Sequence, residues 1–146
     1  MKRDFRQLSA SRGFTLIELL VVISIISILA ALLMANFVGI RQRGRDAQRK
    51  SDLRQIQSAL ELYRSDNGSY PTTIPNCGSA LTQNSVTYMQ KLPCDPLEKN
   101  NYSYTSDGNT YTLYGCIENE NDPDKDSSTA SNCTATTNVS FTLTNP

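Results

Sequence analysis

Histidine and tryptophan are both absent from this 146-residue chain. Without imidazole there is no Ser-His-Asp or Cys-His catalytic unit, and no zinc site of the kind that needs a histidine ligand. The four cysteines include no Cys-x-x-Cys pair, so a zinc site built from thiolates alone lacks its usual spacing. No glycine-rich phosphate loop and no nucleophile motif occurs anywhere. Proline is missing until Pro71, and no lysine or arginine lies between Arg12 and Arg41. These absences remove the common enzyme classes and leave room for one very long helix.

What fills that room is apolar. Leu19 to Ala35 contains only Ser24 and Ser27 as polar members, and Phe14 to Ala35 is 22 residues. At about 1.5 Å rise per residue this crosses a hydrocarbon core of roughly 30 Å. Glu18 is the anomaly, because a carboxylate inside such a segment costs about 2.5 to 3.5 kcal/mol unless it finds a partner. No basic residue within a helical turn neutralises it, so the sequence places that partner elsewhere. Upstream, Lys2, Arg3, Arg6 and Arg12 form a short basic leader ending in Gly13, directly before the apolar run. A secretory signal is cut after its apolar region, whereas a cut here would retain the anchor.

With Gly13-Phe14-Thr15-Leu16-Ile17-Glu18 opening a long apolar helix, the chain resembles the type IV pilin and type II secretion pseudopilin superfamily. The resemblance implies cleavage between Gly13 and Phe14 by a membrane-embedded prepilin peptidase, then N-methylation of Phe14. It also implies that Glu18 serves subunit assembly by pairing with the Phe14 amine of a neighbouring copy, so that two charges costly in lipid neutralise each other. Further partners implied are an inner-membrane assembly platform with its ATPase, minor pseudopilins or pilins, and lipid before assembly. Related chains often carry a proline near the end of the apolar segment, where this one has Ala35 and Asn36. Gly39 and Gly44 are then the remaining weak points, each costing about 1 kcal/mol relative to alanine.

The expected fold is α+β: a long N-terminal helix packed on a small antiparallel sheet. Its expected divisions are a leader (1–13), the transmembrane part of the helix (14–35), its amphipathic part (36–66) and an extracytoplasmic head (67–146). The helix should end at Ser65-Asp66-Asn67-Gly68, ahead of Pro71. It would be roughly 80 Å long. Leu53, Ile56, Leu60 and Tyr63, with Ala59 beside them, form a core-facing stripe. Arg49, Lys50, Arg54, Gln57, Glu61 and Arg64 are expected to face outward, with Asp46 and Lys50 as an i, i+4 pair.

Residues 72–100 read as an irregular connection with a short helix from Val86 to Lys91. Within it, Leu92-Pro93-Cys94-Asp95-Pro96 resembles the Leu-Pro-x-Asp-Pro segment of major pseudopilins. Tyr102 to Thr105 and Thr110 to Tyr114 alternate around Asp107-Gly108 and predict a β-hairpin with a primed turn. Val139 to Leu143 predicts a third strand, and Ile117 to Asn138 a polar surface loop.

Four cysteines allow three pairings. The local one, Cys77 with Cys94 and Cys116 with Cys133, staples the two irregular segments and is favoured. Alternating Asp122, Asp124 and Asp126 resemble the start of a calcium loop, but Ser127 and Cys133 stand where an EF-hand requires Gly and Glu. Two readings stand: a solvated acidic loop, or the calcium site that the resemblance to major pseudopilins implies in the last loop. No other cofactor is expected.

Charge is unevenly spread. Residues 41–64 hold seven basic and three acidic side chains, whereas 65–146 hold three basic and nine acidic. A basic stem and an acidic head suit packing of one copy's head on another's stem; equally, both are simply solvated faces. The acidic head would repel phosphate, so its tyrosines are read as core and nucleic acid is not an expected partner. Counting basic residues in the flanks alone would put the C-terminal side in the cytoplasm. The leader and the distal cysteines, which suit an oxidising compartment, outweigh that count and put the head outside a bacterial cytoplasmic membrane. The expected role is structural, a major pseudopilin in a protein-export filament. The alternatives are a type IV pilin serving adhesion, motility or DNA uptake, and a membrane-tethered binding domain.

Overall fold

The computed structural model describes residues 13–133 and 139–145. Residues 1–12 of the leader and 134–138 of the expected last loop therefore lie outside the described residues. Helix α1 (Leu16–Asn67) is followed by β1 (Leu81–Gln83), β2 (Val86–Met89), β3 (Ser103–Ser106), β4 (Tyr111–Ile117) and β5 (Val139–Thr144). The chain divides into two compact units, one running to Val38 and the other starting at Gly39.

Among the described residues the first unit is helical from Leu16 onward, and its large apolar side chains are exposed from Phe14 to Met34. By length and composition α1 is apolar enough to cross a membrane. Both serines are satisfied within the helix: the Ser24 hydroxyl donates to the Val21 carbonyl (2.8 Å) and that of Ser27 to Ile23 (2.7 Å). No hydroxyl there needs water, which suits an apolar surrounding.

In the second unit the apolar stripe of α1 meets a three-stranded antiparallel sheet of order β3-β4-β5. Strand β4 alternates strictly, burying Tyr111, Leu113, Gly115 and Ile117. These join Leu53, Ile56, Ala59 and Leu60 of the helix, Tyr70, Leu81, Leu92, Tyr102 and Phe141 in one core. Each fully buried leucine or isoleucine there contributes about 1.5 to 3 kcal/mol. Tyr63 is only half-buried and sits against the Tyr88 ring, with centroids 5.1 Å apart. Gly68, with φ +77°, lets the chain leave the helix, and its N–H bonds back to the Arg64 carbonyl (2.8 Å).

Three local expectations change. Val86 to Lys91 is not helical: Val86–Met89 pairs antiparallel with Leu81–Gln83 in a separate two-stranded sheet. Asn84 and Ser85, at φ +49° and +67°, form the two-residue link, a conformation asparagine tolerates and one that matches strand twist. The turn between β3 and β4 is wider than a two-residue primed turn, because the last strand pair is Ser106 with Tyr111. There the Asp107 carboxylate accepts the N–H groups of Asn109 (2.9 Å) and Thr110 (2.7 Å), which stabilises the wider loop. Finally, Arg49 does not face outward but is fully buried.

Candidate functional site

At the start of α1, Thr15 and Glu18 close on each other. The Glu18 carboxylate accepts the Thr15 N–H (2.9 Å) and hydroxyl (2.7 Å), while the Glu18 N–H reaches back to the Thr15 hydroxyl oxygen (3.3 Å). This is a capping box, in which residues three apart satisfy each other's orphan groups at a helix start. The Thr-x-x-Glu spacing signals it in the sequence, and it gives Glu18 a local hydrogen-bond partner where charge alone pointed only to a distant one. Hydroxyl and amide bonds satisfy the oxygen they reach but leave the charge in place. They hold the carboxylate beside Phe14, which is itself 85% exposed.

The second concentration of polar chemistry lies in the head around Arg49. Its guanidinium donates to Asp95 (2.7 and 3.2 Å), to Asp46 (2.8 Å) and to Glu118 (2.7 Å). Arg45 forks onto the same Glu118 carboxylate, its Nε 2.7 Å from Oε1. Asp46 accepts the N–H groups of Glu118 (2.9 Å) and Asn119 (2.9 Å), and Asp95 those of Leu97 (2.8 Å) and Glu98 (2.9 Å). Among the described residues no buried side-chain polar atom lacks a partner. Two segments distant in sequence, 95–98 and 118–119, are thereby fastened to one turn of the helix.

Electrostatics agree with the geometry. Burial alone would pull the Arg49 pKa down, but the carboxylate bonds outweigh it and hold the guanidinium charged. Asp95 would be pushed up by burial and is instead held below its ordinary value by Arg49 and by the Glu98 and Leu97 N–H groups. The hydrogen bond from Arg45, chiefly, lowers Glu118. Asp52 runs the other way: burial raises it despite the hydrogen bond from Tyr102 (2.8 Å).

Asp46 therefore pairs with Arg49 rather than with Lys50, and Lys50 turns to the last loop. Its ammonium contacts Asp122 and lies 2.9 Å from Asp124. Asp126 faces strand β5, where it accepts the Thr142 N–H (3.1 Å) and hydroxyl (2.6 Å) and the Ser140 hydroxyl. The three aspartates do not converge, and among the described residues no three His, Cys, Asp or Glu side chains could share a metal ion. The calcium site that the resemblance implies does not fit this donor set. The structure joins Cys77 to Cys94 and Cys116 to Cys133. A polar cleft of about 340 Å³ lies beside Arg49, lined by Asn101, Tyr114 and Asn132.

Arg45, Arg49 and Lys50 belong to the basic stem, expected either to meet another copy's acidic head or to be a solvated face. Much of that basic charge is instead neutralised within the same chain. Asp95, the acid of the Leu-Pro-Cys-Asp-Pro segment, is the partner of Arg49, and nothing local in the sequence signals a pair 46 residues apart.

A family model described as the type II secretion system protein G matches residues 36–131, more than half of the chain. The chain belongs to the type II secretion system protein G family. A second model, the prokaryotic N-terminal methylation motif, matches residues 8–34. Proteins named type II secretion system core protein G are similar to this family member in several bacteria. That of Klebsiella michiganensis is 37% identical over 97 residues, covering 60% of this chain and 68% of its own. That of Escherichia coli is 36% identical over 101 residues, covering 62% and 70%. That of Vibrio cholerae is 30% identical over 117 residues, covering 74% and 80%. No solved structure matches the chain.

Proposed function

We propose that this protein is a major pseudopilin, a structural subunit of the helical filament that serves type II protein export, and not an enzyme. The observation that carries the reading is the protein G match over 36–131 directly following a methylation motif over 8–34. On this reading the peptidase cuts between Gly13 and Phe14, Phe14 is N-methylated, and the apolar helix anchors the subunit in the cytoplasmic membrane with its head outside. Assembly then withdraws that helix into a bundle of copies. Inner-membrane platform, ATPase and minor pseudopilins are the partners such an assembly needs.

Glu18 carries the assembly step. The capping box holds its carboxylate next to the first residues of the mature chain, where the Phe14 amine of a neighbour can meet it. Removing one member of a buried ion pair typically costs about 3 to 5 kcal/mol, and in a filament the loss recurs at every subunit. Glu18→Gln keeps the capping hydrogen bonds and removes the charge, whereas Glu18→Leu removes both. Both variants should be made, cleaved and inserted normally yet be absent from sheared filaments and unable to support export. Wild-type assembly of Glu18→Gln would show that the charge has no part in assembly. Gly13→Val should block processing, seen as an intact mass that retains the leader.

A further inference from the structure

From Glu118 to Cys133 the last loop of the head is tied down by groups of the chain itself. Glu118 lies on Arg45 and Arg49, and the Asn119 N–H on Asp46. Asp122 and Asp124 share the Lys50 ammonium. Asp126 bonds side chain to side chain with Ser140 and Thr142, and its N–H donates to the Ser140 carbonyl (2.8 Å). The Ala130 N–H reaches the Ser140 hydroxyl (3.1 Å), and Cys133 closes the loop onto Cys116 in β4.

A calcium ion needs six to eight oxygen ligands at about 2.3 to 2.6 Å. Here Asp122 and Asp124 are committed to a monovalent cation on a tether, and the Asp126 carboxylate uses both oxygens on β5. A divalent ion could enter only by displacing Lys50, which would leave an ammonium beside it with like charge. The Lys50 ammonium also lies over the Phe141 ring, 5.4 Å from its centroid. Lys50 side-chain exposure is only 14% and that of Asp122 11%, so the pair is sheltered from solvent competition. Burial pulls the Lys50 pKa down, but the hydrogen bonds to Asp122 and Asp124 more than offset it, so the cation persists at neutral pH.

We infer that Lys50 takes the place of a metal ion in ordering the last loop, so that the head of this protein folds independently of calcium. The stem helix supplies the positive charge, and the Cys116–Cys133 bridge and the Asp126 contacts to β5 supply the closure that ligation would otherwise give. This rests on the family membership and the contacts above, and not on the filament reading.

The test uses the mature full-length chain in detergent micelles, with thermal unfolding followed by circular dichroism. The probe is calcium chloride at about 5 mM against an excess of chelator, several-fold above the roughly 0.1 to 1 mM dissociation constants of extracellular calcium modules. Tm should agree within about 1 °C between the two conditions, whereas saturation of a native-state site would raise it by several degrees. A calcium-dependent rise of that size overturns the inference. In the presence of chelator, Lys50→Met should lower Tm by several degrees, and Lys50→Arg should recover most of the loss. An unchanged Tm in Lys50→Met would equally overturn it, since the ammonium would then not be what holds the loop. Thermal unfolding of the single chain needs no filament, so failure of this inference is read separately from failure of the assembly role.

Discussion

Arg49→Met is the most informative single change in the head. Methionine fills much of the arginine stem's volume, so the packing loss is small and the lost guanidinium dominates. That guanidinium is the common partner of Asp46, Asp95 and Glu118. Glu118 would keep Arg45, but Asp46 would keep only backbone N–H donors, and Asp95 the N–H groups of Leu97 and Glu98. Leaving a buried charge uncompensated costs about 3 to 5 kcal/mol. For a head of this size that corresponds to a fall in Tm of roughly 12 °C or more. Arg49→Lys keeps one charge but cannot fork onto Asp95 while reaching the other two carboxylates, so its loss should be smaller. Chemical denaturation of the mature chain in detergent at pH 7 measures both. The pH dependence gives an independent check. Asp95 and Glu118 are held below their ordinary values of 3.8 and 4.5 in the folded parent. Their stabilisation is therefore complete above those values and is lost as pH falls through the lower folded ones. Asp52 has the opposite sign, because its raised pKa means that burying its charge destabilises at neutral pH and acid relieves that cost. The net expectation is declining parent stability below about pH 4.5. The Arg49→Met penalty should shrink over the same range, because the orphaned carboxylates can take up protons. A variant within about 1 kcal/mol of the parent at pH 7, or a penalty that grows in acid, would refute the buried-network account.

Two further outcomes are expected. Gly115→Ala places a Cβ 3.0 Å from Tyr102 Cδ1 and 3.3 Å from Leu53 Cδ1, and Tyr102 is held by its hydrogen bond to Asp52. Overpacking of this kind costs about 1 to 3 kcal/mol, so the midpoint of denaturation should fall without loss of processing or insertion. Thiol labelling of denatured, unreduced protein from its native compartment should find no reactive cysteine, and peptide mapping should link Cys77 to Cys94 and Cys116 to Cys133. Four free thiols would contradict an extracytoplasmic head.

The family motif, the long helix and the strands β3 to β5 are legible in the sequence because each rests on interactions close along the chain. Apolar residues at helical spacing, a Gly-Ser-Tyr-Pro stop after Asn67 and alternation through Tyr111 to Tyr114 need no knowledge of distant partners. The Thr15–Glu18 capping box is equally local, and was missed only because the apolar context made Glu18 look partnerless. The β1–β2 hairpin was lost for a related reason: its strands are three and four residues long, too short for a period to declare itself against a helical alternative. What only the tertiary structure decided is which charges turn inward. Arg49, Lys50 and Arg54 look alike along a helix face, yet Arg49 is buried, Lys50 is sheltered and Arg54 is exposed. The difference comes from carboxylates 46 to 74 residues away, brought over one turn of the helix when β4 packs on the Leu53 stripe. Composition counts such residues as a basic stem, but charge acts at contact distance, and contacts between residues so far apart exist only once the chain has folded.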